Sequence, residues 1–345
     1  MSRDIETILL PSSFETGKLG VYHLKRYWAI AMGKRNGSIP HDQYTDEWND
    51  DTTMLNMLGL GLEQTIIYLY REAPAFEDFE QWVLDINGGH IDTNRISGFN
   101  RIKQGEQLQV VANPFSGQQM ITAEQQACWD ENGYLIIPSV ISRDDCDQTI
   151  ELICRTIGIT RDDPSTWYQA HPARQGIMVQ LFQHPLLEQN RQNALVKKVY
   201  EELWGRTDLI VSTDRVGFNP PETESWVFPG PRMHWDVSLE LPVPFGLQGI
   251  LYLSDTAATQ GAFSLVPGFH HHIEKWIHDL PPGAHPRQED IYKLGVQPIA
   301  AGAGDFIIWH HALPHGSSAN KSDKPRFVQY INWLPPDPER NTDWI

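Results

Sequence analysis

Between residues 208 and 334 the chain falls into six short segments rich in β-branched and aromatic residues, each bounded by Gly, Pro or Asp. They cover residues 208–218, 246–253, 262–266, 295–300, 305–309 and 326–334, and most have no helical pattern between them. Short strands at close spacing, without intervening helices, predict an antiparallel barrel or jelly roll.

The segments upstream carry a helical period. Thr122 and Gln125 form a capping box, the helix it opens stops at Gly133, and the apolar stretch Tyr134 to Ile137 follows. A second helix starts near Ser142, with Ser142 or Asp144 as cap, and runs to about Gly158; a third, ALVKKVYEELW, ends at Gly205. These helices are expected to pack on the outside of the β structure, which makes the fold class mainly β with flanking helices. Before residue 120 the informative stretches are also helical. Residues 52–73 place Met54, Leu55, Leu58, Leu62, Ile66 and Leu69 broadly at helical spacing, and residues 75–86 follow Pro74 and end at Gly88-Gly89. Residues 88–117 are polar and loop-like. The expected division is therefore a helical extension over 1–119 and the main domain over 120–345.

Composition narrows the partners. A formal charge of −17 with no basic stripe argues against nucleic acid, because a phosphate backbone demands clustered Lys and Arg. Cys128, Cys146 and Cys154 have no CxxC spacing and leave an odd count, which predicts free thiols in a reducing compartment. The opening residues lack an apolar signal run, no stretch approaches about 18 apolar residues, and the closing NTDWI is no peroxisomal address. A cytoplasmic protein without a membrane partner is expected; oligomeric state is not readable.

Two His-x-Asp triplets occur, His90-Ile-Asp92 and His234-Trp-Asp236. With 14 His and 44 acidic residues, roughly one is expected by chance, so context must separate them. The first lies in a loop of the helical region and reads as a surface His beside a solvated Asp. The second sits between two predicted strands. In extended chain, residues i and i+2 point the same way, so His234 and Asp236 can aim at one point while Trp235 faces away. One more imidazole would complete the 2-His-1-carboxylate triad of non-haem iron(II), which leaves positions open for other ligands. The zinc-hydrolase signature His-Glu-x-x-His and the deaminase pattern are absent from the sequence.

His310, His311, His315 and the run His270 to His272 are the candidates for that imidazole. The spacing to an arginine favours His315, which Arg326 follows eleven residues later at the start of the last strand. That strand is expected to return antiparallel to the one ending near His311. An arginine inside a barrel is costly unless a carboxylate meets its planar fork, and the far carboxylate of 2-oxoglutarate would do so.

From about residue 120 to 335 the sequence resembles the phytanoyl-CoA dioxygenase family of iron(II)/2-oxoglutarate oxygenases. TAEQQACWDENGYLIIPSVIS resembles the family's opening helix and strand, and HWD its metal motif. LQGILYLSDTAATQGAFSLVPGFH and GDFIIWHHALPHGSSANKSDKPR resemble its turn and closing segments. Phe269 and Gln260 depart from the usual Ser and Asn, in a loop that bears on substrate more than on iron.

The resemblance implies a double-stranded β-helix with His234, Asp236 and His315 as iron ligands. It also implies Arg326 on the distal carboxylate of 2-oxoglutarate, with Ser317 as its hydrogen-bonding neighbour. The implied reaction consumes O2 and 2-oxoglutarate, releases succinate and CO2, and hydroxylates a small organic or natural-product substrate. Because Asp236 is present, hydroxylation is expected over halogenation. Two other readings stand beside it: a cupin-like metal dioxygenase without 2-oxoglutarate, and a non-catalytic ligand-binding member of the fold. The alternation of Arg215, Gly217 and Asn219 along one strand, and the aromatic run from Trp226 to Trp235, are candidate cavity walls.

Overall fold

The computed structural model describes residues 10–106, 120–341 and 343–345. In chain order, the helices are α1 (Leu24–Asn36), α2 (Trp48–Met57), α3 (Leu62–Glu72), α4 (Phe76–Ile86), α5 (Thr93–Lys103), α6 (Ala123–Asn132), α7 (Arg143–Ile157), α8 (Pro185–Arg191), α9 (Ala194–Trp204) and α10 (Ile273–His278). The strands are β1 (Tyr134–Ile137), β2 (Arg174–Gln175), β3 (Met178–Val179), β4 (Ile210–Val211), β5 (Val216–Asn219), β6 (Leu247–Tyr252), β7 (Phe263–Leu265), β8 (Gln297–Pro298), β9 (Phe306–His310), β10 (His315–Ser317), β11 (Arg326–Tyr330) and β12 (Trp333–Leu334). The chain divides into two compact units.

The first unit holds the described residues up to 106, together with Asp208–Thr213 and Pro335–Asp337. Its core is a closed set of apolar side chains from α1 to α5, including Leu24, Met54, Leu58, Leu69, Phe79, Val83 and Phe99. The apolar run at 52–73, expected as one helix, is two. Gly59 takes a left-handed φ of 69° just past α2, and the chain re-enters helix at Leu62. The stretch at 88–117, expected as loop, contains α5, which Asp92 caps by accepting from the Asn94 N–H at 2.8 Å. Only Gly98 and Phe99 of α5 are buried, so its sequence shows no apolar stripe. Asp92 thus has a structural job, in keeping with the reading of the first His-x-Asp triplet. Residues 107–119, and with them the boundary expected at 119, lie outside the described residues.

The second unit is built on two antiparallel sheets. The larger runs in the order β1-β9-β6-β11-β5-β3-β2 and the smaller β10-β7-β8. Register fixes which side chains share a face: Val328 lies opposite Tyr252, Ile250 opposite Ile307, and Gln248 opposite Trp309. By strand alternation Arg326, Val328 and Tyr330 fall on the same face as Gln248, Ile250 and Tyr252. Most of that face joins Phe263 and Leu265 of the smaller sheet in one core cluster. Each aliphatic side chain fully buried there contributes about 1.5–3 kcal/mol.

The opposite face of the larger sheet is covered by helices. Asn190 of α8 donates to Gln329 Oε1 at 2.9 Å, Gln329 returns a bond to the Leu187 carbonyl at 3.0 Å, and Tyr200 of α9 donates to the Ile331 carbonyl at 2.9 Å. The capping box at Thr122 and Gln125 and the Ser142 cap form as expected. The architecture is a mainly β double-stranded β-helix with flanking helices. Three details differ from the sequence reading. β11 pairs with β5 and β6, so β6 separates it from β9, which ends at His310. The final strand breaks after Tyr330 and resumes as β12, and the segment at 208–218 is split into β4 and β5. The short strand β10, whose sequence is His-Gly-Ser, has no β-former to announce it.

Candidate metal centre and active site

The centre is assembled where β10 meets the extended segment before Val237. His234 and His315 face each other as an antiparallel bridge, with N–H···O bonds of 2.8 Å from His234 and 2.9 Å from His315. Such close approach needs Gly316: a Cβ there would lie 2.7 Å from the Arg232 carbonyl oxygen. Alternation then turns Trp235 away. It is 2% exposed, packs against Phe269 and Trp276, and donates from Nε1 to the Ala312 carbonyl at 2.9 Å.

The candidate ligand atoms of His234, Asp236 and His315 all lie within 4.8 Å of one another. His234 Nε2 is 3.2 Å from Asp236 Oδ1, and His315 Nε2 is 3.3 Å from Oδ2. Donors at right angles around an ion about 2.1 Å away would sit about 3.0 Å apart, so this spacing suits one divalent metal. The tautomers agree. His234 Nδ1 is 2.7 Å from the Arg232 carbonyl oxygen and His315 Nδ1 is 3.1 Å from that of Leu313. A carbonyl can only accept, so each Nδ1 carries the proton and each Nε2 keeps a lone pair turned to the centre.

Without a metal, burial disfavours charge on both members of the His234–Asp236 pair, but the hydrogen bond that a protonated His234 Nε2 gives to Asp236 outweighs it. The His234 imidazole is raised, and the Asp236 carboxyl, which His315 also contacts, is held well below the usual carboxylate range. Gln248 fixes the carboxylate from the side, donating from Nε2 to Oδ2 at 2.7 Å.

A cavity of about 90 Å³ opens on these residues. Its wall includes Met178, Pro231, Phe263, Trp309, Ser317 and Tyr330. Behind Ser317 stands Arg326, fully buried, donating from one terminal nitrogen to Ser317 Oγ at 3.1 Å. Its Nε and its other terminal nitrogen have no partner among the described residues. A buried guanidinium with two idle donors is costly unless an anion meets it. Burial also raises the phenol of neighbouring Tyr330, which stays neutral beside that charge.

The structure therefore places His234, Asp236, His315 and Ser317 on the wall of one cavity, with Arg326 bonded to Ser317 behind it. His310, His311 and His270 to His272 stand outside the metal cluster: His310 Nδ1 accepts from the Ala312 N–H at 3.0 Å, and His271 Nε2 meets the Asp130 carbonyl at 2.6 Å. Of the aromatic run at 226–235, Pro231 and His234 line the cavity. Asn219 lies opposite Arg326 but spends its amide on the Ser318 carbonyl. Sequence reading missed Gln248 and Trp309. The signal was available, since a glutamine alternating with Ile250 and Tyr252 on an inward face is a polar residue placed among core positions.

A double-stranded β-helix with two histidines and one carboxylate gathered on a strand and the extended segment beside it is the arrangement of non-haem metal oxygenases. The family pattern described as phytanoyl-CoA dioxygenase (PhyH) matches residues 129–328, and the chain belongs to that family, whose class takes iron and 2-oxoglutarate. A Dictyostelium discoideum protein named "Putative phytanoyl-CoA dioxygenase" is 26% identical over 258 residues, 60% of this chain and 74% of that one. Among solved structures, EctD from S. alaskensis with bound Fe is similar at 16% identity and a TM-score of 0.48, covering 68% of this chain and 84% of that one. The epimerase SnoN in complex with Fe3+, alpha ketoglutarate and nogalamycin RO has 17% identity and a TM-score of 0.43, over 61% and 81%. AviO1 from Streptomyces viridochromogenes has 17% identity and a TM-score of 0.45, over 65% and 99%. No helix among the described residues is long and apolar enough to cross a membrane.

Proposed function

We propose that this protein is an iron(II)/2-oxoglutarate-dependent hydroxylase of a small organic or natural-product substrate. The observation that carries the reading is the pairing of a three-ligand cluster with a buried, under-used Arg326 on the facing strand. His234, Asp236 and His315 would hold the iron, and Arg326 with Ser317 would hold the distal carboxylate of 2-oxoglutarate. Iron in such a site supplies the coupled decarboxylation of 2-oxoglutarate to succinate and CO2 and the oxidation of a C–H bond by O2.

The chain's own residues do the rest. The carbonyls of Arg232 and Leu313 fix the two imidazole tautomers, and Gln248 fixes the carboxylate. Ser317 orients the guanidinium, and Phe263 and Trp309 shield the centre from bulk water by stacking beside His315. Asp236 occupies the position that a halide would need, which supports hydroxylation over halogenation. We place catalysis in residues 120–345, with residues 1–119 as an extension, in a cytoplasmic protein.

The test is anaerobic addition of iron(II) and 2-oxoglutarate to the protein and to His315→Ala and Arg326→Ala. A weak visible charge-transfer band is expected, lost with His315 and weakened without Arg326. A folded, iron-loaded protein that shows no band sinks the 2-oxoglutarate reading and favours the cosubstrate-free dioxygenase. Failure to take up iron favours the ligand-binding protein.

A further inference from the structure

The hydrogen-bond accounts of the cavity wall leave a second pair of groups unspent, away from the guanidinium. Gln248 commits Nε2 to Asp236, which fixes the orientation of its amide and leaves Oε1 buried without a partner among the described residues. Trp309 is 2% exposed, and its indole Nε1 is likewise buried without a partner among those residues. The two residues lie directly opposite each other on β6 and β9, on one face of the sheet, and both line the cavity. Cross-strand neighbours have Cβ atoms about 5 Å apart, within reach of one bound group.

An idle buried indole N–H is not unique here, for Trp333 has one too; Trp333, however, does not line the cavity. Leaving a buried donor and a buried acceptor unmade costs about 1–3 kcal/mol each, which a ligand able to satisfy both would recover. The pair offers one acceptor and one donor, and neither is charged. A carboxylate can take the indole N–H but gives nothing to Gln248 Oε1, and an ammonium has the opposite defect. A hydroxyl or a primary carboxamide satisfies both.

We propose that Gln248 and Trp309 form a donor–acceptor clamp that selects a substrate by a neutral hydroxyl or carboxamide held beside the metal ligands. The clamp excludes substrates that present only hydrocarbon at this wall. It rests on the oxygenase reading and names the substrate class for that site.

The test uses full-length protein loaded with zinc(II), a diamagnetic substitute, and 2-oxoglutarate, with 15N-labelled indoles followed by NMR. The Trp309 resonance is identified by its loss in Trp309→Phe. The probes are propionamide, 1-propanol, propionate and propylammonium. Propionamide and 1-propanol are expected to move the Trp309 indole proton downfield with saturation, while propionate and propylammonium leave it in place. Trp309→Phe and Gln248→Leu should each weaken propionamide binding about tenfold, the cost of one hydrogen bond. Equal response to all four probes, or to none, overturns the clamp. A shift on adding 2-oxoglutarate alone assigns the idle groups to the cosubstrate and also overturns it. The iron(II)/2-oxoglutarate band, recorded anaerobically on the same protein loaded with iron(II) in place of zinc, separates the two readings: a normal band with unresponsive Trp309 rejects the clamp and spares the oxygenase.

Discussion

His234 and His315 are tied to each other through their backbones before any ion is considered: each N–H donates to the other's carbonyl, at 2.8 and 2.9 Å. The two residues, 81 positions apart in sequence, are thereby locked as cross-strand partners, with their ring centroids 4.8 Å apart. Metal binding should therefore be a property of a preformed site and not of a loop that closes on the ion.

Replacing either histidine should then damage binding and not folding. His234→Ala and His315→Ala are expected to lose at least about 100-fold in divalent-metal affinity, since changes even to groups supporting the ligands cost 10–100-fold. Calorimetric titration with manganese(II) checks the affinity and circular dichroism the fold. Unchanged affinity in both variants would remove the site from consideration.

Gly316→Ala tests the same junction from its backbone. The added Cβ would meet the Arg232 carbonyl oxygen at 2.7 Å, so the segment carrying His234 must move. Overpacking of this kind costs about 1–3 kcal/mol, readable by urea denaturation, and metal affinity should fall with it. A variant that binds metal as the parent does would show the junction to be slack.

Arg326 gives a prediction of opposite sign for stability and for binding. Arg326→Met removes an unpaired buried charge while keeping much of the volume, and such replacements are neutral or stabilising by about 1–4 kcal/mol. The variant should melt no lower than the parent when both are free of cosubstrate. Added 2-oxoglutarate should raise the parent's melting temperature, by about 2.7 kcal/mol of stability at 100 times Kd, and leave the variant unmoved.

Acid should unfold the second unit through histidines that lie away from the metal. Burial first, and neighbouring imidazoles second, lower His270 to about 4 and His310 to about 3, from an ordinary 6.5. The unfolded chain thus takes up protons that the folded one refuses. Stability from these residues is complete above pH 6.5 and is lost progressively as the pH falls towards 4 and then 3. Denaturation midpoints measured from pH 7 to 4 should decline, and less steeply in His310→Gln.

The chain declares some of this arrangement openly and hides the rest. The His-x-Asp spacing, the later His315 and the Arg326 that follows it are local patterns, and strand alternation was enough to aim the first two at one point. The helix caps at Thr122 and Ser142 were equally legible because capping is decided within three residues. β10 was not, since His-Gly-Ser forms a strand only because Leu265, Ser264 and Phe263 stand ready to pair with it. The order of β9, β6 and β11 depends on the same long-range pairing. α5 escaped because it buries little, and although Gln248 stands out as a polar residue in an apolar run, its pairing with Trp309 depends on the strand order.

Ser317 belongs to β10 in the smaller sheet and Arg326 to β11 in the larger, and a hydrogen bond of 3.1 Å joins them. An anion lodged between the arginine and the metal ligands would act as a rivet through both walls of the barrel. Occupancy would then set how freely the two sheets breathe, so that amide exchange in β10 and β11 would report whether the enzyme is charged for turnover before any product is made.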